Sequence, residues 1–345
     1  MNLPRLLEFW LLAFGIAVLT VRRLLDPASR LHILDHPNHR SLHRQPVPRT
    51  GGVAILLGLA GAGSLLGVFA GPLSWALVGP ILGVIAIAGI SLWDDLRRLP
   101  WRVRLGVHLM AAGLLVVAGL TPVALALPGL EIQLPLWLGV PLTLLGVSWL
   151  VNLYNFMDGL DGLAGGMAVI GFGALALAGW RVGDEPFAAI MGLVAAASAG
   201  FLVWNWPPAR IFMGDVGSSS LGYLAAAACL AADQRGLLPL WAGLLIFSPF
   251  ILDTTLTLTQ RLFRRERLSE AHRSHYYQRL AMCWGHRETL GAALLLMLAC
   301  AGSALAVTGL APAGQGLMLM GWIGIYVLMA WRIHLITTIR EPRLD

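Results

Sequence analysis

The chain has 345 residues, of which 57% are hydrophobic and 12% are charged, and its mean hydropathy is +0.75. Soluble domains carry about 25% charged residues, so this composition excludes an ordinary soluble enzyme, a disordered chain and a disulfide scaffold. The net charge is +6, and all 24 basic residues are arginine. The apolar residues fall in blocks of about 20, which is the helix length that spans a bilayer core. We therefore predict an all-α, polytopic integral membrane protein.

Eleven apolar blocks predict about eleven transmembrane helices. They cover residues 4–21, 52–71, 76–93, 105–121, 136–152, 163–180, 186–204, 218–233, 237–257, 289–310 and 316–333. The first block has no clear cleavage site, so we interpret it as a spanning helix rather than a signal peptide. Because no repeat or linker divides the chain, we expect one membrane domain over residues 1–345.

Arginine placement predicts the orientation of these helices. The connections after spans 1, 3, 5, 7 and 9 and the C-terminal tail hold nearly all arginines, and the other side keeps only Arg5, Arg181 and Arg235. The positive-inside rule then places the N-terminus outside and the C-terminus in the cytoplasm, which also explains the pI of 9.9 without nucleic acid. Seven histidines share these loops, which predicts a reaction site at the cytoplasmic surface: His32, His36, His39, His43, His272, His275 and His286.

The first loop, residues 35–52, has the sequence DHPNHRSLHRQPVPRTGG. Its prolines stiffen the backbone, and its arginines and histidines can hold phosphate. An ordinary positive-inside loop with a structured turn is the alternative.

Two adjacent carboxylates, Asp94 and Asp95, follow span 3. Neighbouring carboxylates repel each other unless a cation or arginines compensate for their charge. They are either a solvated helix end beside Arg97 and Arg98, or ligands for a hard divalent cation that holds substrate phosphates.

The segment NLYNFMDGLDGLAGG, residues 152–166, repeats a polar residue every three positions: Asn152, Asn155, Asp158 and Asp161. If this segment is helical, these side chains gather on one face. A plain amphipathic face is the alternative, although unpaired carboxylates at a span end are costly.

The segment after span 7 contains a double proline and a Gly-Asp-x-Gly-Ser turn. Pro207 and Pro208 are expected to end the preceding helix. Asp215 and the three serines from Ser218 to Ser220 then stand before span 8. They either offer a helix N-terminus to phosphate or simply cap that helix.

The last large loop contains HRSHYYQRL, residues 272–280. His272 and His275 lack a third ligand at a convincing spacing, so hydrogen bonding to a sugar or a diphosphate is favoured over zinc. Asp253, near the inner end of span 9, is either functional or paired with a loop arginine.

Taken together, these motifs resemble one family, the polyprenyl-phosphate N-acetylhexosamine-1-phosphate transferases of glycosyltransferase family 4. The resemblance covers nearly the whole chain. It comprises the first loop (D-x-P-N-x-R-x-x-H, then P-R-x-G-G), the Asp94–Asp95 pair, N-F-M-D-G-x-D-G, I-F-M-G-D-x-G-S and the histidine loop. Five ordered motifs in loops on one side are far more specific than any one of them.

The resemblance implies a role for each matching residue. The implied catalytic residues are Asp94, Asp95, Asp158 and Asp161. The implied substrate-binding residues are Arg40, His43, Asn152, Asn155, Asn205, His272, Arg273 and His275. The implied metal ligands are Asp94, Asp95 and Asp215, which would hold Mg²⁺ or, in its place, Mn²⁺.

The implied reaction transfers a sugar-1-phosphate from a UDP-N-acetylhexosamine to undecaprenyl phosphate, with release of UMP, at the bacterial inner membrane. The chain has no lysine, and HRSHYYQ replaces the fuller histidine cluster of the peptidoglycan branch. It therefore looks like the branch that initiates O-antigen or another surface polysaccharide, with a homodimer allowed. The alternatives are a phospho-N-acetylmuramoyl-pentapeptide transferase, a transporter, or a non-catalytic binder of polyprenyl phosphate.

Overall fold

The computed structural model describes residues 3–37, 45–70, 75–97, 99–266 and 273–340. Several residues of the predicted motifs lie outside these ranges: Asn38, Arg40, His43, Arg98 and His272. Within the described ranges the helices are α1 (Leu3–Leu24), α2 (Gly51–Ala70), α3 (Trp75–Arg97), α4 (Trp101–Val117), α5 (Leu136–Phe156), α6 (Leu163–Arg181), α7 (Glu185–Asn205), α8 (Gly214–Gln234), α9 (Leu240–Ile246), α10 (Ser248–Phe263), α11 (Tyr276–Trp284), α12 (His286–Ala306) and α13 (Pro312–Arg340).

Eight helices in the described ranges are long and apolar enough to cross a membrane, and a ninth crossing results if α9 and α10 count as one span. This confirms a mostly helical chain with many apolar helices, as a polytopic membrane protein requires. Each of the eleven predicted blocks coincides with helix. Eleven is nevertheless more than the eight or nine described helices that are long and apolar enough to count as membrane spans.

The difference in number arises at α4 and α8. Helix α4 has 17 residues, and α8 begins with the polar turns that carry Asp215 and Ser218. Both nevertheless run the length of the bundle: Asp215 lies beside Asp94 at one end, whereas Gln234 donates to the carbonyls of Gly119 and Thr121 at the other. Helices α4 and α8 therefore extend between the two ends of the bundle without the length or apolarity of a typical span.

The block 237–257, predicted as one span, is bent by 83° between α9 and α10. Pro249 stands in the first turn of α10, where its missing N–H and fixed φ favour the start of a new helix. The bend carries Asp253 toward the polar end of the bundle.

Helices α6, α7 and α8 form the centre of the protein. The span within α6 is 72% buried, whereas the span within α13 is 11% buried and lies at the periphery. Small residues dominate the central contacts, as expected where helices pack closely in lipid. One hydrophobic cluster extends from Leu6 in α1 to Trp322 in α13.

Among the described residues, two short antiparallel strand pairs mark the two ends of the bundle. Strands β1 (Leu34–Asp35) and β2 (Val47–Pro48) pair Asp35 with Val47 at the base of the first loop. Strands β3 (Ala124–Leu127) and β4 (Leu130–Gln133) form the hairpin between α4 and α5. The first hairpin lies at the end where the predicted motifs meet.

Candidate active site

Acidic side chains from three separate segments meet at one end of the bundle. Asp94 and Asp95 end α3, Asp158 and Asp161 lie in the turn between α5 and α6, and Asp215 is in the first turn of α8. The carboxylates of Asp95, Asp158 and Asp215 are near enough to repel one another. The predicted convergence of these motifs is therefore present.

Arg104, near the start of α4, joins two of these carboxylates. Its Nη1 lies 2.7 Å from Asp94 Oδ2 and 3.5 Å from Asp215 Oδ2. Asp94 also accepts a hydrogen bond from the backbone N–H of Leu99. One positively charged guanidinium thus compensates for the negative charge of Asp94 on α3 and of Asp215 on α8.

Asp95 is held by Arg49, the arginine of the P-R-x-G-G motif. Arg49 Nη1 lies 3.5 Å from Asp95 Oδ1, and Nη2 donates to the backbone carbonyl of Asp95 over 2.7 Å. The Asp95 side chain is only 4% exposed. Its Oδ2 is buried and has no hydrogen-bond partner among the described residues, which leaves one carboxylate oxygen available to a ligand.

The backbone fastens the first-loop motif against the G-D-x-G-S motif. Gly51 and Gly52 donate to the carbonyls of Phe212 and Met213 over 2.9 and 2.8 Å. A Cβ atom on Gly52 would overlap Gly217, so both glycines permit this close approach. The contact places Arg49 beside Asp215 and explains why glycines recur in both motifs.

Asp158 and Asp161 differ in their surroundings. Asp158 accepts from the backbone N–H of Gly214, yet burial and the nearby charge of Asp215 raise its pKa well above the ordinary range. Asp161 Oδ2 accepts from the backbone N–H of Ala209 over 2.9 Å. Asp161 therefore fastens the loop between α7 and α8, whereas Asp158 faces the acidic cluster.

The four polar residues that recur every three positions in the 152–166 segment do not lie on one helical face. Helix α5 ends at Phe156, so Asn152 and Asn155 are helical while Asp158 and Asp161 lie in the following turn. Gly162, with φ of +78°, then allows the chain to enter α6. The segment is therefore not one continuous helix, and the condition under which its four polar side chains would share a face is not met.

Asn155 is the asparagine that contacts the acidic cluster. Its Oδ1 accepts from Ser218 Oγ over 3.0 Å, and its side chain hydrogen-bonds Asp215. Asn152 Nδ2 donates to the Ser148 carbonyl over 2.7 Å and lies 3.4 Å from His108 Nδ1. Asn155 thus orients Asp215, and Asn152 lies one turn deeper in α5.

Asn205 is occupied within the fold. Its side chain is buried, with Oδ1 accepting from Gly162 N–H over 2.9 Å and Nδ2 donating to the Ile211 carbonyl over 2.8 Å. These contacts tie the turn before α6 to the loop before α8. In this structure Asn205 supports the acidic turns instead of facing an open site.

The histidine loop packs beside the acidic turn. His275 Nδ1 lies 3.0 Å from Asp253 Oδ1, and Tyr277 Oη donates to the Phe156 carbonyl over 3.2 Å. Arg273 lines a cavity of about 260 Å³ together with Arg261 and Arg279. The loop is therefore adjacent to the segment that carries Asp158.

Several site residues lack a strong sequence signal. Arg104 is an ordinary arginine by the positive-inside rule, and Tyr277 follows the histidines without a pattern of its own. Arg49 belongs to the P-R-x-G-G motif, but nothing in that motif pairs it with Asp95. One argument could have pointed to the arginines: five carboxylates that meet at a membrane boundary require positively charged groups nearby. Among the described residues, no group of three His, Cys, Asp or Glu side chains already has the arrangement of a metal site.

Comparison with known proteins points in one direction. Residues 77–233 match the model of glycosyl transferase family 4. The chain is 31% identical over 287 residues to a probable undecaprenyl-phosphate N-acetylglucosaminyl 1-phosphate transferase of Bacillus subtilis, covering 81% of this chain and 79% of that protein. It is 30% identical to a decaprenyl-phosphate N-acetylglucosaminephosphotransferase of Mycolicibacterium smegmatis, with 91% and 84% covered. A phospho-N-acetylmuramoyl-pentapeptide-transferase of Halalkalibacterium halodurans is 30% identical over 67% of this chain and 74% of its own length.

Proposed function

The chain belongs to glycosyl transferase family 4, among the polyprenyl-phosphate N-acetylhexosamine-1-phosphate transferases, and from this premise we propose its reaction. It transfers an N-acetylhexosamine-1-phosphate from a UDP-sugar to undecaprenyl phosphate and releases UMP. This is the first step in the assembly of O-antigen or another surface polysaccharide. The enzyme works at the cytoplasmic face of the bacterial inner membrane.

The observation that carries this proposal is the meeting of five aspartates with Arg49 and Arg104 at one end of an apolar helix bundle. Both reactants are anionic, and one of them has an apolar tail. Phosphoryl transfer needs alignment and charge neutralisation more than covalent help from the protein. A charged site at the membrane surface meets both needs.

The chemistry of these carboxylates favours a divalent cation, Mg²⁺ or Mn²⁺, although no three of the described carboxylates already form a metal site. Asp95 Oδ2 is buried without a partner among the described residues, and Asp94 and Asp215 share a single arginine nitrogen. Hard cations of this kind favour carboxylates together with phosphate oxygens. Asp95 and Asp215, with Asp94, would hold the ion, and the chemistry it supplies is neutralisation of the diphosphate and of the departing UMP.

We infer direct displacement. An oxygen of the lipid phosphate attacks the β-phosphorus of the UDP-sugar. A new P–O bond forms as the bond from that phosphorus to the bridging oxygen breaks, and UMP leaves with the bridging oxygen and its electron pair. Arg49 and Arg104 stand where they can orient the reacting phosphates, and Asp95 has the oxygen that can take a proton or bind the ion. The alternative is an aspartyl-phosphate intermediate.

The histidine loop supports the assignment to the surface-polysaccharide branch. HRSHYYQ and the absence of lysine favour UDP-N-acetylglucosamine or a 6-deoxy N-acetylhexosamine as donor. The peptidoglycan reaction is the second candidate, because a phospho-N-acetylmuramoyl-pentapeptide-transferase is also 30% identical.

The direct test incubates purified protein with Mg²⁺, undecaprenyl phosphate and a panel of UDP-N-acetylhexosamines, and measures UMP. Asp95→Asn and Asp215→Asn each remove a negative charge from the site, and we expect each to lower UMP release by at least about a hundredfold. Asp184→Asn is the matched control, because Asp184 pairs with Arg235 at the far end of the bundle.

Unchanged UMP release in both site variants would defeat the assignment of these carboxylates. Release with UDP-N-acetylmuramoyl-pentapeptide alone would move the protein to the peptidoglycan branch. No release with any donor, in wild-type protein that is folded, would contradict the proposed reaction.

A further inference from the structure

Asp253 is a buried carboxylate that the proposed reaction does not use. It lies in α10, and its side chain is 9% exposed. Oδ1 lies 3.0 Å from His275 Nδ1 and accepts from the backbone N–H of Tyr276 over 3.1 Å, while Oδ2 accepts from the N–H of Tyr277 over 2.9 Å. Both carboxylate oxygens are therefore committed to the beginning of α11.

These contacts make Asp253 a helix cap supplied by another helix. The residue before α11, His275, makes no side-chain capping hydrogen bond. The first N–H groups of a helix need acceptors, and a carboxylate is favourable there because of the helix dipole. Asp253 meets that need from α10, so it fixes where α11 begins relative to the bent helix.

Tyr277, in the first turn of α11, transmits this position to the acidic site. Its hydroxyl donates to the Phe156 carbonyl over 3.2 Å. A Cβ atom on Gly159 would overlap the same hydroxyl, which shows how closely Tyr277 approaches the residue after Asp158. The His275 ring stacks on Tyr277 with centroids 5.8 Å apart. A continuous series of contacts thus joins Asp253 to the turn that carries Asp158.

We propose that Asp253 is a positioning residue for the transfer reaction. It touches neither reactant and holds the Asp158 turn in place through α11 and Tyr277. This positioning role adds a residue to the proposed function, and its kinetic test depends on that function being correct. The physical reason is that small displacements of a reacting group cost rate much more than they cost binding.

The kinetic test compares Asp253→Asn, Tyr277→Phe and the double variant with wild-type protein. Asparagine keeps one oxygen but turns an NH₂ group toward backbone N–H donors, and phenylalanine removes only the hydroxyl that reaches Phe156. We expect Asp253→Asn to lower kcat about tenfold to a hundredfold while KM for the UDP-sugar changes by less than about threefold. Because both residues act in one series of contacts, the double variant should be no slower than the slower single variant.

Asp233→Asn is the matched control. Asp233 also receives a backbone N–H at the start of a helix, from Leu240 over 2.7 Å, but it lies at the far end of α8. It should keep wild-type kcat even if its thermal midpoint falls. Equal losses of kcat in both Asp→Asn variants, or fully additive losses in the double variant, would overturn the positioning role.

Hydrogen exchange measured in lipid nanodiscs gives a readout that does not depend on activity. Asp253→Asn should speed amide exchange in residues 157–161 and 276–278, and Asp233→Asn should leave both segments unchanged. Faster exchange in a preparation that releases no UMP would support the structural link between Asp253 and the Asp158 turn while contradicting the proposed function. Unchanged exchange together with unchanged kcat would overturn the positioning role alone.

Discussion

Arg104 places one nitrogen between carboxylates that come from two different helices, 2.7 Å from Asp94 and 3.5 Å from Asp215. The positive charge of this nitrogen lies where a bound metal ion could lie. Unlike a metal ion, however, the guanidinium is attached to α4 and cannot enter or leave with a substrate. Arg104 therefore has two effects. It lowers the repulsion between α3 and α8, and it supplies positive charge where a diphosphate would approach.

Replacing Arg104 with glutamine should remove both effects. We expect kcat/KM for UMP release to fall on the order of a hundredfold, because one preorganised positive group is lost from a site that develops negative charge. Arg104→Lys should retain part of the activity, since lysine keeps the charge but not the planar fork.

Arg102→Gln is the control for that experiment. Arg102 lies on the same helix, is exposed, and stacks over the Trp101 ring without an ion pair to any aspartate in the described part of the chain. If Arg102→Gln and Arg104→Gln reduce kcat/KM equally, the effect belongs to general surface charge and the site role of Arg104 is wrong.

Residue identity located the carboxylates that cluster in the structure, but not the groups that pair with them. Asp94, Asp95, Asp158 and Asp215 could be found because acidic residues at span ends are costly without a function. Asn205 was also singled out, yet it is buried between Gly162 and Ile211. Which polar groups satisfy each other depends on contacts between distant segments, and residue spacing carries no information about those contacts.

At the scale of elements, the first loop and the start of α8 form one unit. Phe212 donates to the Pro48 carbonyl over 2.7 Å, and Gly51 and Gly52 return hydrogen bonds to residues 212 and 213. This exchange resembles strand pairing between two segments that are far apart in the chain. The motifs could be recognised individually, but their pairing could not, because hydrogen bonds between backbone N–H and C=O groups leave little trace in residue identity.

Gly52→Ala should destabilise this unit. The added methyl group would overlap Gly217, so α2 and α8 must separate, at a cost of about 1–3 kcal/mol for overpacking. We expect a lower midpoint of thermal unfolding in detergent and reduced UMP release, because the separation moves Arg49 away from Asp95.

Gly67→Ala on the same helix is the matched control, since a Cβ atom there meets nothing within 4 Å. Its thermal midpoint should equal or slightly exceed that of wild type, because alanine favours helix over glycine. A Gly52→Ala protein as stable and as active as Gly67→Ala would show that the close approach is not needed.

At the scale of the whole molecule, hydropathy located helices at all eleven predicted blocks but not their geometry. Helices α4 and α8 cross the bundle while failing the length or apolarity expected of a span, and the block 237–257 bends by 83°. In each case polar site residues or a proline displace apolar ones near a helix end. The departures at α4 and α8 involve residues of the candidate active site, where function requires polar residues in an apolar chain.

The orientation of the bundle remains a prediction, and it determines whether the site can meet a nucleotide sugar. The acidic end carries the arginine-rich connections, whereas the other end has the β3–β4 hairpin and the Asp184–Arg235 pair. The positive-inside rule places the acidic end in the cytoplasm.

A green fluorescent protein fused after residue 345 should therefore fluoresce. Alkaline phosphatase inserted at Gly129 should be active, since this phosphatase folds only outside the cytoplasm. If alkaline phosphatase were active when fused after residue 345 in place of the fluorescent protein, and inactive at Gly129, the five aspartates would lie on the outer surface, away from any cytoplasmic UDP-sugar. That result would contradict both the orientation and the proposed reaction.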